Sequence, residues 1–154
     1  MERRLTGASL WDRARSHGVG GRDHARIIWR MHDFKRLQVW QRAKELAVAI
    51  DDLSRSFPRS DHGVIANQLR RAALSIPTNI AEGCGKSSRK ETARFLQIAL
   101  GSAKETENHL IIAGDLRYIT AGTREKQIDE VTAIQRMLVG LMRNLQESGP
   151  HLGG

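Results

Sequence analysis

The sequence has one cysteine, few proline and aromatic residues, no strand-like alternation and no long apolar run. Several of these absences exclude a class of protein. The single cysteine, Cys84, rules out an internal disulfide and is typical of the reducing cytoplasm, where we expect the protein to act. The absence of any alternating Val, Ile and Thr run argues against a β-sheet protein. No apolar run is long enough to cross a membrane, and no signal peptide is evident, so no membrane partner is expected.

What is present suits helices and a polyanionic partner. Hydrophobic residues make up 40% of the 154 residues but aromatic residues only 5%, as in helices that pack on Leu, Ile and Ala. This length supports one domain with a single core. The net charge of +8 points toward nucleic acid.

Half of the excess charge lies in the first fifth of the chain. Residues 1–30 carry seven arginines against three acidic residues, with four glycines and few aliphatic side chains. We therefore predict that residues 1–32 form a disordered basic arm. Two explanations remain open for it. Either Met31 is the true start and the arm is a non-native extension, or the arm is a tail that binds nucleic acid through Arg and Trp side chains.

Four amphipathic stretches follow within residues 33–148, and residues 149–154 form a predicted disordered tail. Apolar residues at steps of three and four predict helices over about 33–56, 64–82, 88–113 and from Thr123 to the stop at Gly149. Gly83 is a predicted left-handed cap, and Ser88 with Glu91 forms a capping box. Short connections between such helices predict an all-α, antiparallel up-down-up-down four-helix bundle.

A line of polar side chains runs beside the apolar stripe of the second predicted helix. A chain turn near Gly85 would set Arg71 level with Gly101 and Ser102, where a glycine permits close approach of the helices, with Glu105 one turn beyond. Arg71 and Glu105 would then form a buried ion pair. We predict a polar network that specifies the fold, against the alternative of a solvated helix face. Its predicted members are Arg71, Ser75, Asn79, Glu82, Ser102 and Glu105.

Three patterns that suggest chemistry fail on closer inspection. The run 83–88 ends like a phosphate-binding loop, but the position of its first required glycine is Ile80, and a helix instead of a strand precedes it. Arg55 and His62 have the spacing of some helical ribonucleases of the HEPN class, but Pro58 interrupts them. The six histidines do not build a metal site around Cys84. We therefore expect no catalytic residue, metal or cofactor.

One stretch carries a family resemblance. The run from Arg70 to Gly83, RRAALSIPTNIAEG, followed by RFLQIALGSAKE from Arg94 to Glu105, resembles the four-helix-bundle proteins of bacterial ribosomal RNA intervening sequences. The accessory proteins of diversity-generating retroelements are similar. The resemblance covers about residues 33–146, and the predicted polar network lies within its signature. It implies a ring-shaped homopentamer with a positively charged channel or face, and for the retroelement proteins a reverse transcriptase as partner.

The leading hypothesis is a non-catalytic bundle that binds RNA or DNA through a basic surface. An oligomeric adaptor that docks a protein partner is the alternative, and a helical ribonuclease using Arg55 and His62 is a third. The candidate nucleic-acid contacts are basic residues at predicted exposed helix positions: Arg36, Arg42, Arg70, Lys86, Arg89, Lys90 and Arg94.

Overall fold

In the computed structural model, four α-helices account for most of the residues that the structure describes, which are 33–61 and 63–147. They are α1 (Gln38–Ser54), α2 (Val64–Cys84), α3 (Arg89–Asp115) and α4 (Ala121–Glu147). Short 3-10 turns, Phe34–Arg36 and Arg59–Asp61, precede α1 and α2. No strand occurs within these ranges. The all-α, four-helix prediction is confirmed, while the predictions for residues 1–32 and 149–154 and for His62 lie outside the described residues.

Helices that follow one another along the chain pack side by side. Ser75 and Gly83 of α2 lie against Ser102 and Phe95 of α3, so these two helices are antiparallel. Glu107 and Asp115 of α3 contact Gln135 and Arg124 of α4 in the same opposed order. The full up-down-up-down order of the bundle stays a prediction.

The core is aliphatic and continuous through all four helices. Its largest fully buried side chains come from every helix, as the periodic stripes of the sequence predict. They include Ile50, Leu69, Ile76, Ile80, Leu96, Leu110, Ile134 and Leu138. None of the helices within the described ranges is both long enough and apolar enough to cross a membrane.

Gly83 has a different role from the predicted one. The α2 helix continues to Cys84, and its C-cap Gly85 has a φ of −85°, so the prediction of a left-handed cap at Gly83 is wrong. Gly83 is buried, and a Cβ on it would lie 3.0 Å from Phe95 Cβ and 3.3 Å from the Thr92 carbonyl oxygen. The absence of a side chain at Gly83 therefore allows α2 and α3 to approach each other closely at this point.

Side-chain oxygens accept hydrogen bonds from backbone amides at the starts of α2, α3 and α4. The hydroxyl of Ser88 accepts a hydrogen bond from the Glu91 amide at 3.2 Å, which confirms the cap expected there. The buried Asp61 carboxylate accepts from the amides of Ile65 and Ala66 at the start of α2. The helix α4 begins earlier than the predicted start at Thr123. Its capping side chain is Thr120, whose Oγ1 accepts a hydrogen bond from the Thr123 amide.

Candidate nucleic-acid interface and the adjoining polar line

Three of the six residues in the predicted polar network are joined by hydrogen bonds. The hydroxyl oxygens of Ser75 and Ser102 lie 2.8 Å apart across the α2–α3 contact. Asn79 Nδ2 donates to Ser75 Oγ at 2.9 Å and to the Ser75 carbonyl at 2.8 Å. Ser102 is buried, and Ser75 and Asn79 are half-buried. This trio can fix the register of the two helices, because each polar group satisfies another.

The other three members do not join this trio. Arg71, Glu82 and Glu105 are exposed, and among the described residues no carboxylate lies within ion-pair distance of Arg71. The prediction of a buried Arg71–Glu105 pair is wrong. The helix α3 begins at Arg89, so the centre of the hairpin lies later in the chain than Gly85. As a result Ser102 lies opposite Ser75 and not opposite Arg71.

Gly101 also differs from expectation. A Cβ added to Gly101 would meet no atom within 4 Å, so this glycine serves no close approach inside the bundle. The close approach of α2 and α3 lies at Gly83 instead. The sequence contained both glycines, but only the register of the hairpin decides which one faces the neighbouring helix.

His109 lies one turn from Glu105 on the same helix. Its Nε2 is 3.5 Å from a Glu105 carboxylate oxygen, and its side chain is only 14% exposed. Both ring nitrogens are shielded from solvent, and neither makes a hydrogen bond within the described part of the chain. The imidazole is therefore a largely buried polar group on α3, and its four-residue spacing from Glu105 in the sequence was the available signal.

Several of the seven candidate nucleic-acid contacts are engaged inside the protein. Arg42 forms a two-pronged hydrogen bond with Glu130, with its Nη2 at 2.9 and 3.1 Å from the two carboxylate oxygens. Arg70 Nη2 donates to Asn67 Oδ1 at 2.6 Å and Arg36 Nε lies 3.4 Å from Asp33 Oδ2. Arg42 connects α1 to α4, and Arg70 connects α2 to α1, because its Nη1 lies 3.9 Å from Asp51 Oδ1.

The remaining four candidates lie together at the α2–α3 connection and form what we call the basic patch: Lys86, Arg89, Lys90 and Arg94. Lys90 and Arg94 are exposed, with no carboxylate among the described residues within ion-pair distance. Lys86 Nζ stands 4.6 Å from the centre of the Phe95 ring, a cation–π contact that leaves its charge uncompensated.

Acidic side chains near the basic patch do not neutralise it. The Glu91 carboxylate accepts a hydrogen bond from the Ser88 hydroxyl at 3.1 Å and so belongs to the helix cap. Glu82 is exposed one turn before the connection. The charges of Lys86, Lys90 and Arg94 exceed those of these two carboxylates, so the end of the α2–α3 hairpin is positively charged, which suits an anionic partner.

The patterns that suggested chemistry meet structural obstacles. The run 83–88 follows an α-helix, not a strand, as the sequence analysis expects. Arg55 is hydrogen-bonded to Asp51 at 2.6 Å, and this bond holds the pKa of the Asp51 carboxyl below its usual value. No group of three or more metal-binding side chains occurs in the ranges 33–61 and 63–147.

A groove lies between α1 and α2, and the sequence patterns did not predict it. Val48 and Leu74 line it and are 59% and 62% exposed, while Pro77 is buried and Ala47 half-buried beneath them. Lys44, Asp51 and Arg70 complete its lining. Both exposed side chains fall outside the apolar stripes of their helices, and that mismatch was the signal. We call this surface the α1–α2 groove.

Comparisons with known proteins agree with the resemblance in the sequence. The family model described as 23S rRNA-intervening sequence protein matches residues 35–140. A crystal structure of a protein with unknown function from the S23 ribosomal protein family of Bacteroides thetaiotaomicron is 30% identical, with a TM-score of 0.65. The match covers 68% of this chain and 98% of that one. Comparison with curated proteins gives no match.

Proposed function

The chain belongs to the 23S rRNA-intervening sequence protein family, and from this membership and the charge of its surface we propose that it is a non-catalytic RNA-binding protein. The basic patch at the α2–α3 connection is the contact surface for the phosphate backbone. The protein acts as a ring-shaped homo-oligomer in which the patch of each copy contributes to one positive face.

The observation that carries the proposal is the state of Lys90 and Arg94. Both are exposed in the first two turns of α3, and neither lies within ion-pair distance of a carboxylate in the described part of the chain. A basic side chain without an internal partner is free to release a counterion when it meets a phosphate, and such release drives non-specific binding to nucleic acids. Lys86, with its charge over the Phe95 ring, extends the same surface.

Self-association strengthens such a patch. A few cations on one small bundle give a weak field, but copies arranged around a ring add their fields over one face. RNA is favoured over DNA as the ligand because the family is named after an intervening sequence in ribosomal RNA. A reverse transcriptase as partner stays a prediction, which affinity capture from cells that contain a retroelement would test.

Binding of a fluorescein-labelled RNA hairpin, followed by anisotropy at several salt concentrations, tests the proposal. The double variant Lys90→Ala/Arg94→Ala should bind more weakly and show a shallower salt dependence, because each lost phosphate contact removes roughly 0.7–0.9 from the logarithmic slope. The matched control is Lys126→Ala/Arg136→Ala, which removes two exposed cations from α4. Equal losses in both double variants, or wild-type binding that does not change with salt, would overturn the proposal.

A second candidate function is that of a protein–protein adaptor, and the exposed Val48 and Leu74 favour it. A groove with two large apolar side chains more than half exposed suits a protein surface better than a phosphate backbone. In that case binding to the labelled RNA would be absent or independent of the patch. A partner captured at the groove would then keep its affinity as salt increases.

A further inference from the structure

Two lysines lie over half-buried aromatic rings at the surface of the bundle. Lys86 Nζ is 4.6 Å from the centre of the Phe95 ring, and Lys44 Nζ is 5.4 Å from the centre of the Trp40 ring. Neither ammonium lies within ion-pair distance of a carboxylate among the described residues. A lysine keeps its charged end in water, so the ring face below it is turned toward solvent and not toward the core. Phe34 meets the Trp40 ring at an angle of 64° and does not form a parallel stack with it.

The packing of α1 on α2 brings both lysine–aromatic pairs to the same end of the bundle. Asp51 Oδ1 lies 3.9 Å from Arg70 Nη1, and Lys44 lines the α1–α2 groove together with Pro77. Earlier residues of α1 therefore lie beside later residues of α2. This order places Trp40, near the start of α1, beside the last turns of α2, which lead directly into the basic patch.

The opposite end of the bundle has an aromatic pair without this feature. Phe57 follows α1 and Tyr118 follows α3, and their ring centres lie 5.4 Å apart. Both side chains are half-buried, as Phe95 and Trp40 are, but no lysine of the described residues lies over either ring. Within the described part of the chain, an aromatic face with an unpaired ammonium above it therefore occurs only at the end that carries the basic patch.

This combination matches the chemistry of an unpaired nucleotide. A nucleobase stacks on an aromatic side chain through its flat face, while basic side chains contact the phosphates on either side of it. A base inside a duplex has both faces covered by its neighbours in the stack, so only an unpaired base can offer a face to the protein. A base that stacks on Phe95 or Trp40 takes the place of the lysine there, and the displaced ammonium can then reach an adjoining phosphate.

We propose that the RNA bound by the basic patch is single-stranded, and that its bases stack on Phe95 and Trp40. Lys86 and Lys44 contact the phosphates beside the stacked bases, and the exposed Lys90 continues the path along the backbone. Stacking accepts every base, so this mode of binding favours unpaired RNA without selecting a sequence. The inference rests on the proposed function, because it names the class of RNA that the basic patch binds.

Fluorescence anisotropy with two forms of one labelled RNA tests the inference on the full chain. The first form is a single strand that cannot fold into a hairpin, and the second is the blunt-ended duplex of that strand with its complement. Charge alone favours the duplex, because its phosphates are more densely spaced and it releases more counterions on binding. The wild-type protein should nevertheless bind the single strand more tightly than the duplex at the same salt concentration, by about tenfold.

Three leucine variants assign the preference to the rings. Phe95→Leu and Trp40→Leu keep an apolar side chain against the core but remove the stacking face. Each should lower the affinity for the single strand by about fivefold or more and leave the affinity for the duplex unchanged. The matched control is Phe57→Leu, which removes a half-buried ring at the opposite end of the bundle and should change neither affinity. Circular dichroism checks that each variant is helical.

The fluorescence of Trp40 gives a second readout that leaves both rings in place, so it decides the matter even if a ring variant unfolds. The variant Trp11→Phe/Trp29→Phe retains Trp40 as the only tryptophan of the chain. Single-stranded RNA should quench the emission of this tryptophan, because a stacked base contacts the indole. Inorganic polyphosphate supplies the charge without the bases and should leave the emission nearly unchanged.

The outcomes for stacking and for the proposed function are separable. Equal affinities for the two RNA forms, a preference for the duplex, ring variants that match Phe57→Leu, or equal quenching by RNA and polyphosphate would overturn the inference. If Lys90→Ala/Arg94→Ala still loses RNA binding in that case, the RNA-binding proposal stands and only the stacking is wrong. If neither the single strand nor the duplex binds the wild-type protein, the proposed function itself is wrong.

Discussion

The hydroxyl oxygens of Ser75 and Ser102 lie 2.8 Å apart, and this contact joins α2 to α3 at one register. Asn79 donates to the same Ser75 oxygen, so a single hydroxyl connects two partners. A slip of α3 by one turn would leave these groups without partners at a half-buried position, which costs more than the bonds contribute. The trio therefore selects one alignment of the two helices among several that the apolar stripes would tolerate.

The Ser75–Ser102 contact should show non-additive mutational effects. Ser75→Ala leaves the buried Ser102 hydroxyl and the Asn79 amide short of a partner, and should lower the free energy of unfolding by about 1 kcal/mol or more. The double variant Ser75→Ala/Ser102→Ala should lose less than the sum of the two single losses, because both ends of one bond are removed together. Urea denaturation of the four proteins measures this coupling. Strictly additive losses would show that the two hydroxyls do not interact in solution.

The difference between prediction and structure at this contact has a physical reason. Helical spacing depends on neighbouring residues only, so the stripes and the Ser88 cap were predictable from the sequence. The pairing of Ser75 with Ser102 depends on where the hairpin turns, and a shift of the turn centre from near Gly85 toward Arg89 moves every cross-helix pair by a full helical turn. The register is not what prevents the buried Arg71–Glu105 pair: with Ser75 opposite Ser102, Arg71 is level with Thr106, and the pair is absent because both side chains are exposed.

The candidate interface was predictable only in part. The basic residues of the patch were among the seven candidates, because exposure follows from the polar side of a helix stripe. Which of the seven candidates have partners inside the protein was not predictable, because such a partner can be distant in the sequence. The partner of Arg42, for example, is 88 residues away on α4. The α1–α2 groove was missed because a gap between two helices arises from the short side chains on both of them, not from a pattern in either one.

Gly83 should tolerate no side chain. In Gly83→Ala the new Cβ would lie 3.0 Å from Phe95 Cβ and 3.3 Å from the Thr92 carbonyl oxygen, both tighter than ordinary contacts, so α3 would have to shift by a few tenths of an ångström. We expect a loss of about 1–3 kcal/mol in the free energy of unfolding. Gly140→Ala is the matched control, because its Cβ meets no atom within 4 Å and alanine favours the helix by up to about 1 kcal/mol. Thermal denaturation of both variants checks the pair, and equal stabilities would contradict the close approach at Gly83.

Arg42 should affect stability and not RNA binding. Its guanidinium donates three hydrogen bonds to the Glu130 carboxylate, and the two side chains are 38% and 44% exposed. Arg42→Ala should cost roughly 0.5–1 kcal/mol in the free energy of unfolding, the scale of a partly exposed ion pair with good geometry. Its affinity for the labelled RNA hairpin should match that of the wild-type protein. A weakened affinity for the RNA hairpin with unchanged stability would show that Arg42 contacts the RNA.

Cys84 should be unreactive in the folded protein. Its side chain is only 4% exposed, and burial raises the pKa of the thiol to about 11. Because the thiolate is the reacting form, Ellman's reagent at pH 8 should label the native protein far more slowly than the same protein in denaturant. The labelling rate then reports opening of the α2–α3 hairpin. Rapid labelling in the native state would place Cys84 at an accessible position.

Glu107 should make the protein less stable in acid. Gln135 Nε2 donates to its carboxylate at 2.7 Å and Lys104 Nζ lies 3.2 Å away, and these contacts, the Gln135 hydrogen bond first, hold its pKa below the usual value. The unfolded chain binds this proton at a higher pH than the folded one does. The stabilisation is therefore complete above the usual glutamate pKa of about 4.3 and is lost as the pH falls through the lower, folded value.

Two variants isolate the contribution of Glu107 to this acid dependence. Glu107→Gln and Gln135→Ala should each lose less free energy of unfolding between neutral pH and about pH 3 than the wild-type protein does. The first variant removes the carboxyl group, and the second removes the hydrogen bond that lowers its pKa. Neither should remove the dependence entirely, since Arg55 also lowers the pKa of Asp51, which titrates in the same direction. Urea denaturation at a series of pH values measures the difference. Curves for the variants that run parallel to the wild-type curve would mean that the Gln135–Glu107 bond between α3 and α4 does not persist in solution.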